Sequence, residues 1–215
     1  MPSVVDRING VVYNVQNIKN WDEVLLKDVL EKEFNLPVFI DNDANCFAMG
    51  EKKYGVGKQF DNFVGITLGT GVGGGIIQIG KLLSDANCGS GEVGELAYRD
   101  SIIEDYCGSR FFNDYNMSGL DVAKNAALGD KKSLQMFDEY CKHIPALVKT
   151  IVLTIDPQAI IFGGAISKSL NFFEKSMYCH LNDFPYPNLI KKLKVLQSEL
   201  DNIGILGAVA LIKFK

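Results

Sequence analysis

The stretch Asp41-Asn42-Asp43-Ala44-Asn45 places two carboxylates and two amides directly after the apolar run Val38-Phe39-Ile40 and directly before helical residues. Such a corner has two uses. Its side chains can cap the unpaired N–H groups that open a helix, or bind the hydroxyls of a ligand and accept a proton from one of them. A second stretch, Gly69-Thr70-Gly71-Val72-Gly73-Gly74-Gly75, follows the strand-like run VGITL. Glycines let successive N–H groups converge on an anion, and Thr70 adds a hydroxyl donor. The spacing matches neither a Walker A loop, which needs a following Lys and Ser/Thr, nor G-x-G-x-x-G opening a helix. It reads as a hairpin, either structural or with its tip facing a ligand. Gly163-Gly164-Ala165, after AIIF, suits a flat nucleotide packed on backbone, or a tight turn. Gly204, Gly207 and Ala208 fit close helix packing.

The elements that must hold these stretches alternate between strand and helix, which predicts an α/β fold. Asn9-Gly10 between two β-branched runs predicts a hairpin. Residues 21–34 carry Val24, Leu25, Val29, Leu30 and Phe34 at helical spacing. Residues 36–40 predict a short buried strand. A helix then runs to about Tyr54, where Gly55 and Gly57 stop it, and Asn45 sits where it could cap that helix. Asp41 reads as a residue that holds the corner. A strand, the glycine turn and a second strand follow, then a loop over residues 85–94. Residues 102–153 are mainly helical, with the longest helix over 132–154 and a kink or an interruption expected at Pro145. AIIF is a buried strand, residues 169–183 a helix, Pro185 and Pro187 a loop, residues 194–200 a late strand and 203–214 a closing helix.

Bulk composition narrows the function classes. The chain has 215 residues, 47% hydrophobic and 22% charged, with a formal net charge of −4; that is an ordinary globular balance. Lys and Arg are scattered, so no nucleic-acid-binding face is expected. No apolar run reaches the roughly 20 residues of a membrane helix, and the first residues lack the pattern of a signal peptide. A cytoplasmic setting is expected. Five cysteines (Cys46, Cys88, Cys107, Cys141, Cys179), with no C-x-x-C pair and only His143 and His180 as histidines, read as reduced, mostly buried thiols.

The ordered series NDAN, GTGVGGG, GEVGE, IEDYCGSR, IDPQAIIFGGAIS and IGILGAVAL resembles the ROK group of bacterial sugar kinases and sugar-responsive regulators, across essentially the whole chain. The resemblance implies an actin/hexokinase-like (ribonuclease H-like) two-lobed fold. It implies ATP with Mg²⁺ as cofactors, a hexose or amino-hexose as substrate, and a homodimer by family habit. It assigns Asn42 to the sugar and makes Asp43 the general base that accepts the proton of the attacking hydroxyl. Glu92 and Glu104 match family carboxylates that bind sugar hydroxyls. Gly69, Thr70, Gly71, Gly73 and Gly74 would cradle the nucleotide phosphates, with Gly163 and Gly164 near the adenosine.

Two departures from the family pattern shape the expectation. Where the family has Gly-Glu-x-Gly-His and a cysteine knuckle holding zinc, this sequence has Glu95 at the His position and runs without the knuckle to Ile102. No zinc is therefore expected, and Glu95 would take over a sugar hydroxyl contact. The family also opens with an Asp-x-Gly-Gly-Thr turn that binds phosphate, whereas Pro2-Ser3-Val4-Val5-Asp6 resembles a stretch further along its small lobe. The expectation is a small-lobe remnant (1–42), a large lobe with the sugar and nucleotide motifs (43–200) and a closing helix (201–215), with the first phosphate loop missing. The function implied is a glucokinase-like hexose kinase impaired in this truncated form. The alternative is a non-catalytic sugar-binding regulator domain or degenerate kinase.

Overall fold

The computed structural model describes residues 1–15, 18–84 and 86–212. The expected loop start at Asp85 and the end of the expected closing helix, residues 213–215, lie outside them. Val4–Asp6 (β1), Val11–Tyr13 (β2) and Glu23–Val24 (β3) form a small antiparallel sheet, with residues 7–10 linking the first two as the Asn-Gly pair predicts. Leu26–Phe34 (α1) follows. The helix expected from residue 21 starts five residues late, because Glu23 and Val24 pair with Tyr13 and Val12 instead. The strand expected over residues 36–40 does not form: the segment has no ladder partner among the described residues, and Leu36 and Phe39 stay exposed.

From Asp43 the chain builds its main body. Asp43–Lys53 is α2, and Phe63–Leu68 (β4) and Val72–Gln78 (β5) form the glycine hairpin, with Lys81–Leu82 (β6) at its edge. Ala97–Tyr98 (β7) and Ser101–Ile102 (β8) make a two-stranded ribbon. The helices Ile103–Cys107 (α3), Arg110–Asn113 (α4), Gly119–Ala127 (α5), Lys131–Tyr140 (α6) and Ile144–Ile155 (α7) follow. The helical run does break before Pro145, which sits in the first turn of α7, where its missing N–H costs nothing. Ala159–Gly163 (β9), Leu170–Leu181 (α8), Pro187–Lys192 (α9), Lys194–Gln197 (β10) and Ile203–Ile212 (α10) complete the order. Pro187 thus opens a helix rather than marking a loop.

The main sheet has the order β10-β9-β4-β5-β6; β4, β9 and β10 run parallel, and β5 and β6 antiparallel to their neighbours. Side chains alternate across it with period two. Val64, Ile66, Leu68, Val72, Ile76, Ile160 and Phe162 face the larger core, filled from α6, α7 and α8 by residues such as Phe137, Leu147 and Phe173. Phe63, Ile77, Ala159 and Ile161 face the other side, where Phe47, Ala48 and Met49 of α2 and Ile203 of α10 pack. Helices therefore cover both faces, and α2 and α10 share one of them. Their crossing is close: a Cβ on Gly207 would lie 1.6 Å from the Cys46 carbonyl oxygen, so the small-residue run of α10 serves helix packing.

Candidate functional site

The acidic corner forms from local bonds. The Asn42 side chain is the N-cap of α2, its Oδ1 accepting from the N–H groups of Ala44 (2.8 Å) and Asn45 (3.3 Å), while its Nδ2 donates to the Ser3 carbonyl (3.0 Å). The cap expected of Asn45 is thus made by Asn42, whose backbone is extended as an N-cap requires. The Asn45 Nδ2 donates instead to Asp41 Oδ1 at 2.8 Å. Asp41 is buried, also accepts the Asn42 N–H (2.8 Å), and faces Arg7 Nη1 at 3.6 Å. Burial raises its pKa against the lowering effects of Asn45 and Arg7. It holds the corner, as its place in the sequence suggests. Asp43, the first residue of α2, is exposed, its Oδ1 accepting the Ala44 N–H at 3.1 Å and no other donor among the described residues.

The glycine stretch divides into two parts with different work. Residues 69–71 form the tip between the paired residues Leu68 and Val72. Gly69 N–H donates to the Gly71 carbonyl (3.0 Å), whereas the N–H groups of Thr70 and Gly71 have no hydrogen-bond partner among the described residues. Gly73 and Gly74 lie within β5, paired with Thr67 and Ile66. A Cβ on Gly75 would stand 2.3 Å from the Ala44 carbonyl oxygen, and one on Gly163 would stand 2.3 Å from the Phe47 ring. The missing side chains on that face of the sheet make the bed on which α2 lies, and the bed sets where Asp43 ends up. Gly163 pairs in register with Thr67, so the turn after β9 opens beside the hairpin at the carboxyl ends of the parallel strands. Gly164 there takes φ +87°, a conformation that glycine adopts without strain. Crevices at this edge of an α/β sheet are where ligands commonly bind.

Three further carboxylates meet the corner. Glu92 precedes the 3₁₀ turn Val93–Glu95, and its pKa is raised, first by burial and then by the charges of Glu95, Asp43 and Glu104. Four acidic residues from three separate motifs thus share one neighbourhood, with Asp43 and Glu95 at its exposed edge. Glu104 reaches from α3 to the hairpin: its Oε2 accepts the Val72 N–H at 3.0 Å. Its Oε1 lies 3.9 Å from Arg110 Nη2, and Arg110 also pairs with Asp105. Arg110 is not among the site residues that the sequence motifs single out. The available signal was a single cation six residues beyond Glu104 in an otherwise acidic set.

Glu51, likewise not singled out, is fully buried in α2, and its carboxylate accepts from the Val56 N–H (2.9 Å) and the Ser198 hydroxyl. It ties the end of α2 to the segment after β10. Two clefts open on this part of the surface, the first beside the corner and the second along α3. One, of about 570 Å³, lies between Arg7, Phe39, Asp41 and Cys46; the other, of about 510 Å³, runs from Arg110 past Tyr106 to His143. Asp43, Glu92, Glu95 and Glu104 line neither. No group of three or more His, Cys, Asp and Glu among the described residues is arranged to hold a metal ion, and no helix there is long and apolar enough to cross a membrane.

A sheet of this order, with a glycine hairpin and a second glycine turn at one end and helices on both faces, is that of the actin/hexokinase-like proteins. Within that class the chain belongs to the ROK family, whose model matches residues 1–120 and 113–215. Glucokinase of Thermotoga maritima is 29% identical over 247 residues, an alignment covering 99% of this chain and 77% of that protein. The xylose repressor of Bacillus subtilis is 26% identical over 229 residues, covering 99% of this chain and 59% of the repressor. Among solved structures, a ROK family glucokinase from Streptomyces griseus in complex with glucose and AMPPNP superposes with a TM-score of 0.85 at 27% identity, covering 98% of this chain and 78% of that one.

Proposed function

We propose that this chain is the sugar- and nucleotide-binding body of a hexose kinase that transfers the γ-phosphoryl group of ATP to a sugar hydroxyl. One observation carries the reading: Glu104 bonds the base of a hairpin tip whose Thr70 and Gly71 N–H groups have no hydrogen-bond partner among the described residues, and the charges of Asp43, Glu95 and Glu104 all act on Glu92. Vicinal hydroxyls of a hexose suit Glu92, Glu95 and Glu104 as acceptors. Asp43, exposed at the start of α2, takes the proton of the attacking hydroxyl. Asn42 adds a contact through the corner it caps. Phosphoryl transfer rests on positioning and charge stabilisation, with a carboxylate orienting the nucleophile.

The nucleotide phosphates fit the tip at Gly69, Thr70 and Gly71, which offers two N–H donors and a hydroxyl. Gly73 and Gly74 support that tip from within β5, and Gly163 and Gly164 give the adenosine a flat backbone floor. Magnesium, arriving with the nucleotide, would neutralise phosphate charge. The glucokinase relatives and the AMPPNP-bound Streptomyces griseus structure support ATP as donor. The reaction suits a cytoplasmic enzyme that meets free sugar and ATP together.

A second reading, a sugar-binding effector domain without transfer, is supported by the xylose repressor alignment, which spans 99% of this chain. The deciding experiment is ADP release from ATP over a panel of hexoses and amino-hexoses, with calorimetric sugar binding alongside. Sugar-dependent ADP release supports the kinase. Sugar binding without ADP release supports the effector domain, and binding of no sugar rules out both.

A further inference from the structure

The Glu104 side chain touches two parts of the site at once. Its Oε2 accepts the Val72 N–H (3.0 Å) at the base of the hairpin tip, while its Oε1 points to Arg110 at 3.9 Å. The tip is fitted around it: a Cβ on Gly71 would lie 2.5 Å from Oε2. The two residues after α3 add further ties, the Ser109 N–H donating to the Gly69 carbonyl (2.9 Å) and Gly108 packed where a Cβ would lie 3.0 Å from the Thr70 carbonyl oxygen. The proposed phosphate-binding tip is therefore held chiefly by Glu104 of α3 together with Gly108 and Ser109.

We infer that Glu104 is a positioning residue that couples sugar occupancy to the placement of the hairpin tip, an inference that rests on the kinase reading above. A sugar hydroxyl donating to Oε1 fixes the rotation of the carboxylate. That in turn fixes Oε2 on the Val72 N–H and the direction in which the Thr70 and Gly71 N–H groups point. The nucleotide then meets donors already in place and loses less freedom on binding. Coupling of this kind is reciprocal, so nucleotide must tighten sugar by the same factor. Arg110, paired with Asp105 as well, keeps Glu104 from swinging out of the site.

The test is calorimetric binding of AMPPNP with Mg²⁺, with and without a saturating hexose, and the reverse titration. In the wild type the hexose tightens AMPPNP by about five-fold or more, the lower end of ordinary coupling, and AMPPNP tightens the hexose equally. Gly71→Ala pushes the carboxylate off the tip without removing it, and Glu104→Asp shortens its reach while keeping the charge. In both variants each ligand still binds, at reduced affinity, and the coupling factor falls toward one. A purely structural role would lower the affinities and leave the factor unchanged, which overturns the inference. So does a wild type that binds both ligands without coupling, although the kinase reading then stands. Binding of no hexose at all overturns both.

Discussion

Residues 63–68 and residues 37–40 begin alike, as apolar runs that end in a polar corner, yet only the first becomes a strand. β4 has a neighbour on each edge, β5 antiparallel and β9 parallel, and a core on each face. Residues 37–40 have no ladder partner among the described residues; the Val38 N–H turns instead to the Glu31 carboxylate at 3.0 Å, and Phe39 is 42% exposed. Strand geometry is thus a property of neighbours as much as of the run itself. The corner after residue 40 forms anyway, because its capping bonds join residues one to four apart, with Ser3 and Arg7 adding ties from either end of β1. Site geometry here is anchored from the α2 side rather than from the run that leads into it.

The sharpest way to break that contrast is truncation of one aromatic in each run. Phe63→Ala removes a fully buried ring and is expected to cost about 3–5 kcal/mol in urea unfolding. Phe39→Ala is expected to change stability by about 0.5 kcal/mol or less, as for surface positions. A Phe39 cost near that of Phe63 would mean residues 37–40 are packed in solution, and the contrast would fail.

A smaller effect tests the bed beneath α2 and its crossing with α10. Gly207→Ala drives a Cβ into the Cys46 carbonyl and is expected to cost about 1–3 kcal/mol, the usual range for overpacking. Gly204→Ala, two residues into the same helix, meets nothing within 4 Å and should stabilise by up to about 1 kcal/mol. Equal effects at both positions would contradict the close crossing.

The smallest expected effect concerns pH, at His143, whose ring lies against those of Tyr98, Tyr106 and Phe111. Burial, then the Arg99 charge, lowers the His143 pKa from 6.5 to about 4, and Tyr98 lies at hydrogen-bond distance from its Nδ1 (3.3 Å). The folded state therefore binds fewer protons at His143 than the unfolded chain does between those values. Stability from this residue is complete above pH 6.5 and falls as pH drops toward 4. A melting series over that window should show a shallower decline in His143→Gln than in the wild type. Identical slopes would place the imidazole in contact with water.

Much of this architecture is legible in the residues because it depends on local pattern. The short apolar run of residues 63–68 before the glycines reveals the buried strand, Pro145 marks the break between α6 and α7, and the polar corner before Ala44 marks a helix start. The features that could not be read depend on partners distant in sequence. Glu23 and Val24 join β2 instead of α1 because a strand edge is available to them. The packing of Ala44 on Gly75 and of Phe47 on one face of Gly163 joins residues far apart in the chain. Arg110 gains meaning only where Glu104 and Asp105 converge on it. Nothing in the residue order distinguishes Glu51, fully buried, from an exposed helix carboxylate.

The central claim is that Asp43 is a base at a site assembled by the other motifs. Its most direct test compares Asp43→Asn with the wild type for sugar-dependent ATP turnover, with sugar affinity measured on the same preparations. A fall in kcat of about 10²–10⁴-fold is expected, the usual contribution of a general base, with sugar affinity changed by no more than about three-fold, because the proposed sugar acceptors Glu92, Glu95 and Glu104 remain. Turnover that survives the substitution undiminished would contradict it.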